Sequence, residues 1–397
     1  MKSSFYLLLA ALFAVLTSCS DSNDSSTYVP ITTESYPNVE ATFGTHLDLN
    51  NLANYAHQTI PTYITKDNSV ANPITDKGAT LGRVLFYDKN LSSDNSISCS
   101  SCHQQANAFS DQLSASNGVN GTTARHSMRL INTRFSVESK FFWDERAASL
   151  EIQTTQPIQN HVEMGFSGTI GDQSITDLTT KLSSIGYYKE LFKFVYGSED
   201  ITESKIQFAL AQFVRSIQSF DSKYDTGRAL VANDGQPFGN FTAQENAGKN
   251  LFLAPPVFDA TGNRTSGGLG CAGCHAAPEF DIDPNTKNNG IIGVLNGIGI
   301  DITVTRAPSL RDLTKQNGTL NGPLMHSAGI PTLQAVVGHY GTINIAPGNT
   351  NLDPRLMPGG FGQQLHLTAA EVNSVIAFLQ TLSGSNVYTD PKWASPF

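Results

Sequence analysis

Apolar residues recur at helical spacing along much of the chain. One such run predicts a helix with a single buried face; it comprises Ile206, Leu210, Phe213, Val214, Ile217 and Phe220. A second run, from Val372 to Leu382, follows Thr368-x-x-Glu371, a capping-box signature of a helix start. Thr242-x-x-Glu245 predicts another start. The apolar stripes are expected to form core, and the chain is predicted to be mainly α.

Other patterns are weaker. Residues 290–305 alternate weakly between apolar and polar side chains, which predicts a short strand pair. Residues 221–241 contain several Gly and Asn, which is typical of a linker.

Four of the five cysteines occur in two copies of C-x-x-C-H. This spacing is typical of covalent attachment of a c-type haem, with the thiols on the vinyl groups and the histidine as proximal iron ligand. The copies are Cys99, Cys102, His103 and Cys271, Cys274, His275. A structural zinc site is the alternative, but it needs four ligands and each motif supplies three. Two covalently bound haems c are therefore predicted.

An internal repeat surrounds the two motifs. Similar segments, GRVLF and GKNLF, begin at Gly82 and Gly248, each ahead of its motif. An arginine before a small apolar turn follows each motif, at Arg125 and Arg306. The order and spacing indicate one haem domain that has been duplicated.

The N-terminus has the features of an export signal. A basic start precedes an apolar run, and the Leu-Thr-Ser-Cys sequence that ends at Cys19 resembles the lipobox of bacterial lipoproteins. We expect a lipoprotein signal peptide at 1–18, lipidation of Cys19, and a flexible tether at 19–40. The alternative is a plain signal peptide with a free Cys19. The protein is thus expected on the periplasmic face, which is where haem attachment takes place. The outer membrane is favoured as the membrane that holds it.

Composition limits the partners. The net charge is −9, and 15% of residues are charged, below the ~25% of typical soluble domains. The acidic balance and the lack of a basic cluster exclude nucleic acid and anionic lipid surfaces as expected partners, so membrane contact is expected through the lipid anchor alone. A basic redox protein would be attracted.

From about residue 73 to 382 the chain resembles the bacterial di-haem cytochrome c peroxidases, a family that includes the methylamine-utilisation di-haem oxidase. The most specific segments are 142–153 (FWDERAASLEIQ) and 163–165 (EMG). The resemblance implies two tandem cytochrome-c-like haem domains, which we place at 41–225 and 226–397. In the family, the N-terminal haem is peroxidatic and the C-terminal haem delivers electrons.

The resemblance also implies roles for single residues. Trp143 would lie between the haems as an electron relay, although alone it would be taken for a core aromatic. Gln153 and Glu163 would lie over the open face of the first haem. A desolvated carboxylate there can move the proton that peroxide cleavage requires, whereas a lone glutamate would be taken for a surface residue. Arg125 and Arg306 are expected to pair with haem propionates, with ordinary ion pairing as the alternative.

The first haem is predicted to be five-coordinate or water-ligated without prior reduction. Many relatives carry a distal histidine in the loop after the first motif, but residues 114–124 contain none. His126 stands where the family usually has an asparagine that helps to bind calcium, and imidazole is a poor ligand for so hard a cation. Calcium is therefore in doubt, and His126 is expected to be structural.

The second haem is predicted to be closed by Tyr340. Alignment of the two halves places Pro157 opposite Tyr340, and proline cannot ligate iron while a phenolate can. Met325 and His339 are the competitors, with Met325 the main alternative. An anionic oxygen ligand would lower the potential of this haem.

Three functions follow from these patterns. The first is a peroxidase that reduces hydrogen peroxide with electrons from a small c-type cytochrome or copper protein. The second is an oxidase that uses peroxide to modify side chains of a secreted partner protein, towards which Tyr340 and the missing distal histidine point. The third is a non-enzymatic di-haem electron carrier, which would leave Glu163 without a role. Many family members form homodimers, and no segment here marks an interface.

Overall fold

A computed structural model describes residues 34–397 except 138, 139, 283 and 296. The predicted signal peptide, Cys19 and most of the tether lie outside the described residues. Residues 36–397 belong to one structural unit. Within the part of the chain that is described, no helix is long and apolar enough to cross a membrane.

The prediction of a mainly helical chain is confirmed, with 36% helix and 8% strand. The described residues form the helices α1 (Pro37–Phe43), α2 (Asp76–Tyr87), α3 (Cys99–Cys102), α4 (Leu150–Thr155), α5 (Ile175–Ser183), α6 (Gly186–Tyr196), α7 (Glu203–Ser216), α8 (Lys223–Arg228), α9 (Ala243–Leu253), α10 (Leu333–Gly341) and α11 (Ala369–Gln380). Three antiparallel strand pairs are β1 (Asn117–Gly118) with β2 (Gly121–Thr122), β3 (Pro256–Phe258) with β4 (Arg264–Gly267), and β5 (His275–Ala276) with β6 (Asp281–Ile282).

The predicted duplication is visible in two equivalent helix pairs. Helix α2 packs on α7, and α9 packs on α11. Gly82 of α2 lies against the main chain at Ala209 of α7, and Gly248 of α9 lies against the main chain at Ser374 of α11. A Cβ atom at either glycine would collide with a backbone carbonyl. The glycine that begins each G-x-x-L-F segment is therefore needed where two helices cross closely.

Local signals located several helix ends correctly. Thr242 and Thr368 are the N-caps of α9 and α11, each in a complete capping box. Helix α7 ends earlier than its apolar stripe, because Ile217 adopts an extended conformation with ψ of 104°. Phe220 therefore lies beyond the helix and packs edge-on against Phe135.

Three irregular segments differ from their predictions. The segment 221–241 contains α8, which a Ser222–Asp225 capping box begins. In the described part of residues 290–305, one antiparallel bridge joins Gly293 and Ile300, where a strand pair was predicted. Residues 37–40, predicted as tether, belong to α1.

The described residues form three hydrophobic clusters. The largest draws its buried residues from 39–217 together with Val387 and Trp393, the second from 224–382, and a small third cluster consists of Ile343, Leu352 and Leu356. The C-terminal segment returns to the largest cluster, where Trp393 is buried, and the Arg83 side chain donates a hydrogen bond to the Ala394 carbonyl (2.6 Å). The end of the predicted second domain thus packs in the first half. The boundary at 225/226 stays a prediction.

Candidate functional site

The first C-x-x-C-H motif presents two thiols and one imidazole from a single turn. Cys99 and Cys102 are the ends of α3, which Ser98 caps, and neither forms a disulfide. His103 follows directly, and its Nδ1 donates to the Phe109 carbonyl at 3.1 Å. Burial lowers the pKa of His103, so the ring is neutral and Nε2 keeps its lone pair. This is the tautomer that a proximal metal ligand requires.

A hairpin links this motif to Glu163. The Cys102 thiol contacts the Asn117 carbonyl at 3.9 Å, at the start of the β1–β2 hairpin. Next along the hairpin, the main-chain N–H of Val119 donates to the Glu163 carbonyl at 3.0 Å. Gly118 lies so close to the main chain of residues 162–163 that no Cβ would fit there. The position of Glu163 is therefore tied to the turn of the first C-x-x-C-H motif.

The turn that presents Glu163 is fixed from its other side by Asn160. The Oδ1 atom of Asn160 accepts the N–H groups of Val162 (2.9 Å) and Glu163 (3.1 Å). The Glu163 side chain is partly buried, and desolvation raises its pKa, with the nearby charge of Arg146 acting in the opposite direction. Among the described residues, no side chain donates a hydrogen bond to the Glu163 carboxylate. This carboxylate is therefore available for proton transfer.

Trp143 reaches from the first half of the chain to the second motif. Its indole N–H donates to the His126 carbonyl at 2.8 Å, and its ring lies 6.1 Å from that of His326, edge to face. Its main-chain carbonyl accepts the N–H groups of Thr305 and Arg306, both at 3.0 Å. Trp143 lines the cavity of the second motif. Its role as an electron relay stays a prediction.

The second motif opens onto a cavity of about 630 Å³. This volume lies within the range of cofactor sites, roughly 300–1,000 Å³. Cys271, Cys274 and His275 line the cavity, and the thiols are not joined in a disulfide. Burial lowers the pKa of His275 to about 4. The nearby Pro308 carbonyl acts on this pKa in the opposite direction. Two thiols, a neutral imidazole and apolar walls fit a covalently attached haem.

Tyr340 and Met325 both line this cavity, so the structure brings together the two candidate sixth ligands. Burial raises the pKa of Tyr340. The side-chain amide of Asn289 donates to the Tyr340 oxygen at 3.1 Å and lies 3.5 Å from the Met325 sulfur. No sequence signal singled out Asn289, which belongs to an Asn- and Gly-rich loop.

The backbone supports the alignment of Pro157 with Tyr340. Residues 141–147 and 324–330 form the same kind of turn, each closed by an antiparallel bridge between its first and last residues. A helix starts three residues after each turn, namely α4 and α10. The eighth position counted from the first helical residue is Pro157 in one half and Tyr340 in the other. The same register places Gln153 opposite Val336, which lines the second cavity.

Comparison with known proteins agrees with this architecture. Residues 76–230 match the family model described as di-haem cytochrome c peroxidase. The chain is 30% identical over 331 residues to methylamine utilization protein MauG of Methylophilus methylotrophus, covering 79% of this chain and 85% of that protein. The chain belongs to the di-haem cytochrome c peroxidase family.

Two further relatives represent both branches of this family. Cytochrome c551 peroxidase of Nitrosomonas europaea is 28% identical over 324 residues, covering 77% of this chain and 80% of that protein. A crystal structure of a MauG-like protein associated with microbial copper homeostasis superposes with a TM-score of 0.65 at 26% identity, covering 86% of this chain and 99% of that one. Membership of the family implies haem cofactors and an oxidoreductase.

The two arginines that were predicted to pair with haem propionates have different surroundings. Arg125 forms ion pairs with Asp144 (2.7 Å) and Asp301 (2.8 Å), so these carboxylates compete with any propionate. Arg306 lines the second cavity and donates to the Lys140 carbonyl. Propionate pairing stays a prediction for both.

Arg129 is a cavity residue that the sequence interpretation missed. It lines the second cavity, and one guanidinium nitrogen donates to the Ser309 carbonyl at 2.8 Å. Its buried Nε makes no hydrogen bond, and burial lowers its pKa to about 10. The available signal was a basic residue within an otherwise small and apolar turn after Arg125. The Arg129 guanidinium is suited to pair with a haem propionate.

His126 uses both ring nitrogens within the protein. Nδ1 donates to the Leu113 carbonyl at 3.1 Å, and Nε2 lies 3.4 Å from the Ser110 hydroxyl. Burial lowers its pKa to about 4, so the ring is neutral. Across the described ranges, no three His, Cys, Asp or Glu side chains converge on a common point.

Proposed function

We propose that this chain is an exported enzyme that carries two covalently bound haems c and reduces hydrogen peroxide to water. One peroxide, two protons and two electrons yield two waters. Peroxide is cleaved at the first centre, which Cys99, Cys102 and His103 hold. A small redox protein supplies the electrons through the second centre, which the motif ending at His275 holds. The lipid anchor at Cys19 keeps the enzyme on the periplasmic face.

The placement of Glu163 is the observation that carries this proposal. An iron with an open coordination position supplies the redox chemistry of O–O cleavage. The Glu163 carboxylate accepts the proton of one peroxide oxygen and returns it to the other, which leaves as water. Its desolvation raises the pKa towards the range in which both steps are feasible. The Gln153 amide, one helical turn before Pro157, orients the peroxide by hydrogen bonding.

The open face of the first centre has support from the duplicated scaffold. The position that Tyr340 occupies in the second half is Pro157 in the first, and proline offers no ligand atom on its side chain. Residues 114–124, which include the β1–β2 hairpin, contain no histidine. The first centre is therefore expected to react in its ferric state without prior reduction.

A second candidate function is oxidation of side chains on a partner protein. The location of Tyr340 in the second cavity favours it. A phenolate oxygen stabilises ferric iron and lowers the potential of a haem, which makes it a poor acceptor for an ordinary electron donor. The two electrons would then be drawn through Trp143 from a docked protein. The net charge of −9 favours a basic partner in either case.

Stopped-flow absorbance of the fully ferric holoprotein, mixed with a small excess of peroxide, tests both proposals. A fast change in the high-spin ferric band, followed by rapid oxidation of added reduced cytochrome c, is the result expected of a peroxidase. A fast change with slow cytochrome c oxidation would favour the protein oxidase. The absence of any change would overturn the open first centre. Glu163→Gln should abolish the fast change, and Glu199→Gln, at an exposed glutamate, serves as the matched control.

A further inference from the structure

Both candidate sixth ligands of the second haem share one hydrogen-bond donor. The Nδ2 atom of Asn289 lies 3.1 Å from the Tyr340 oxygen and 3.5 Å from the Met325 sulfur. An amide NH₂ group carries two protons, so it can donate to both atoms at once. Each contact uses one lone pair of its acceptor. The Tyr340 oxygen and the Met325 sulfur each keep a further lone pair.

The orientation of this amide is fixed by its surroundings. Its Oδ1 accepts the main-chain N–H of Ile291 at 3.0 Å, which a flipped amide could not do. The main-chain carbonyl of Asn289 accepts from Nε2 of His339, the neighbour of Tyr340 on α10, at 2.9 Å. The adjacent Asn288 is fully buried and accepts from Asn349 at 2.9 Å. The Asn289 NH₂ group is thus held towards the cavity from both its side chain and its backbone.

We propose that Asn289 is the positioning residue that holds Tyr340 towards the second haem and, through its hydrogen bond to the Tyr340 oxygen, sets the reduction potential of that haem. This inference rests on the proposed haem binding at Cys271, Cys274 and His275. A hydrogen bond to the phenolate oxygen withdraws electron density from it, so the oxygen donates less to ferric iron. The haem potential then lies above the value that a bare phenolate would give. Electron delivery through the second centre depends on this adjustment.

The test is potentiometric titration of the holoprotein, together with its ferric absorption and electron paramagnetic resonance spectra. Leucine is similar in size to asparagine but cannot donate a hydrogen bond. In Asn289→Leu, the equilibrium constant for reduction of the second haem should therefore fall about tenfold. For one electron, this is a fall of 59 mV. Asn289→Asp, which replaces the donor with an acceptor, should shift in the same direction and serves if the leucine variant fails to fold. Asn351→Leu is the matched control, because Asn351 donates to the Ile302 carbonyl and not to Tyr340.

The outcomes separate this inference from the proposed function. An unchanged potential and spectrum of the second haem in both Asn289 variants would overturn the role of Asn289. A second-haem spectrum that changes in Met325→Leu but not in Tyr340→Phe would overturn it as well, because the sulfur would then be the ligand. The ferric reaction of the first haem with peroxide should be retained in the Asn289 variants. Absence of that reaction in the unmodified protein would contradict the proposed function and would not bear on the role of Asn289.

Discussion

Gly118→Ala should displace Glu163 relative to the turn of the first C-x-x-C-H motif. Gly118 lies in the β1–β2 hairpin, between the Cys102 contact at Asn117 and the hydrogen bond to the Glu163 carbonyl. Its φ is not positive, so alanine brings no backbone strain of its own, and space alone decides the effect. An added Cβ would lie 2.8 Å from the Glu163 Cα and closer still to the Val162 carbonyl oxygen.

The size of the effect follows from these distances. Ordinary contact begins at 3.4 Å, so the Glu163 Cα must move by at least about 0.6 Å, and the Val162 oxygen demands a larger shift. A displacement of about 1 Å from catalytic geometry can cost a factor of about 100 in rate. We therefore expect the rate of the peroxide reaction to fall by a factor of about 10 to 100. The hydrogen bonds that the Asn160 side chain accepts from the N–H groups of Val162 and Glu163 oppose the displacement and keep the loss below that of removing the carboxylate.

The assay is the second-order rate constant for peroxide with the ferric holoprotein, measured alongside haem content and the ferric spectrum. Gly239→Ala is the matched control, because a Cβ at Gly239 meets no atom within 4 Å and its φ is not positive. This control should react like the unmodified protein. Gly118→Ala should retain both haems, since the motif turn of Cys99 and Cys102 has its own capping box.

A double variant tests whether the effect acts through Glu163. If Gly118 only positions that carboxylate, Gly118→Ala should slow the Glu163→Gln protein little or not at all, because residues in one functional unit are not additive. Full additivity of the two losses would refute the coupling. An unchanged peroxide rate in Gly118→Ala alone, with an unaltered ferric spectrum, would refute it more directly.

Three further predictions follow from the site and the core. Glu163 must be deprotonated to accept a proton, and burial raises its pKa, so the rate of the peroxide reaction should rise with pH through that raised pKa. In Glu163→Gln the rate should be lower by a factor of about 10² to 10⁴ and should not depend on pH over the same range, and a rate–pH profile of both proteins tests this. Tyr340→Phe should change the spectrum of the second haem alone, whereas an effect of Met325→Leu with none of Tyr340→Phe would assign the ligand to sulfur. Burial raises the pKa of Asp312 to about 6 from 3.8, so the native state binds this proton more tightly and stability should fall as the pH rises from about 4 to 6. Asp312→Asn should therefore raise the free energy of unfolding at pH 7 by up to about 3 kcal/mol, measured by urea denaturation, and a loss of stability would contradict this view.

Local signals accounted for much of the fold. The capping boxes at Thr242 and Thr368 need only four residues, and the structure contains both complete. The short helix α8 was missed because its own capping box, Ser222 with Asp225, lies in a segment whose Gly and Asn content suggested a linker. The end of α7 was missed because an apolar stripe continues where the backbone becomes extended. Apolar residues mark burial, which a helix and the segment after it can share.

The same distinction between local signals and tertiary contacts applies to the candidate site. Sequence spacing identified the thiols and imidazoles, because each motif is contained in five residues. Asn289 could not be identified in this way, since its partner Tyr340 lies 51 residues further along the chain. The contact between Gly118 and Glu163 likewise joins two loops that have no periodic pattern. Such contacts arise from tertiary packing, for which a single sequence carries no local signal.

The duplicated scaffold explains how two centres can differ with few changes. Matching turns at 141–147 and 324–330 deliver two helices, α4 and α10, in the same register. In the proposed arrangement, the residue at the eighth position of that register decides whether a sixth ligand is present. Pro157, which follows the end of α4 at Thr155, would leave the first centre open, and Tyr340, which accepts a hydrogen bond from Asn289, would close the second. A reactive centre and an electron-transfer centre would then be specified by the side chains at one equivalent position and by the hydrogen-bond donor of one of them.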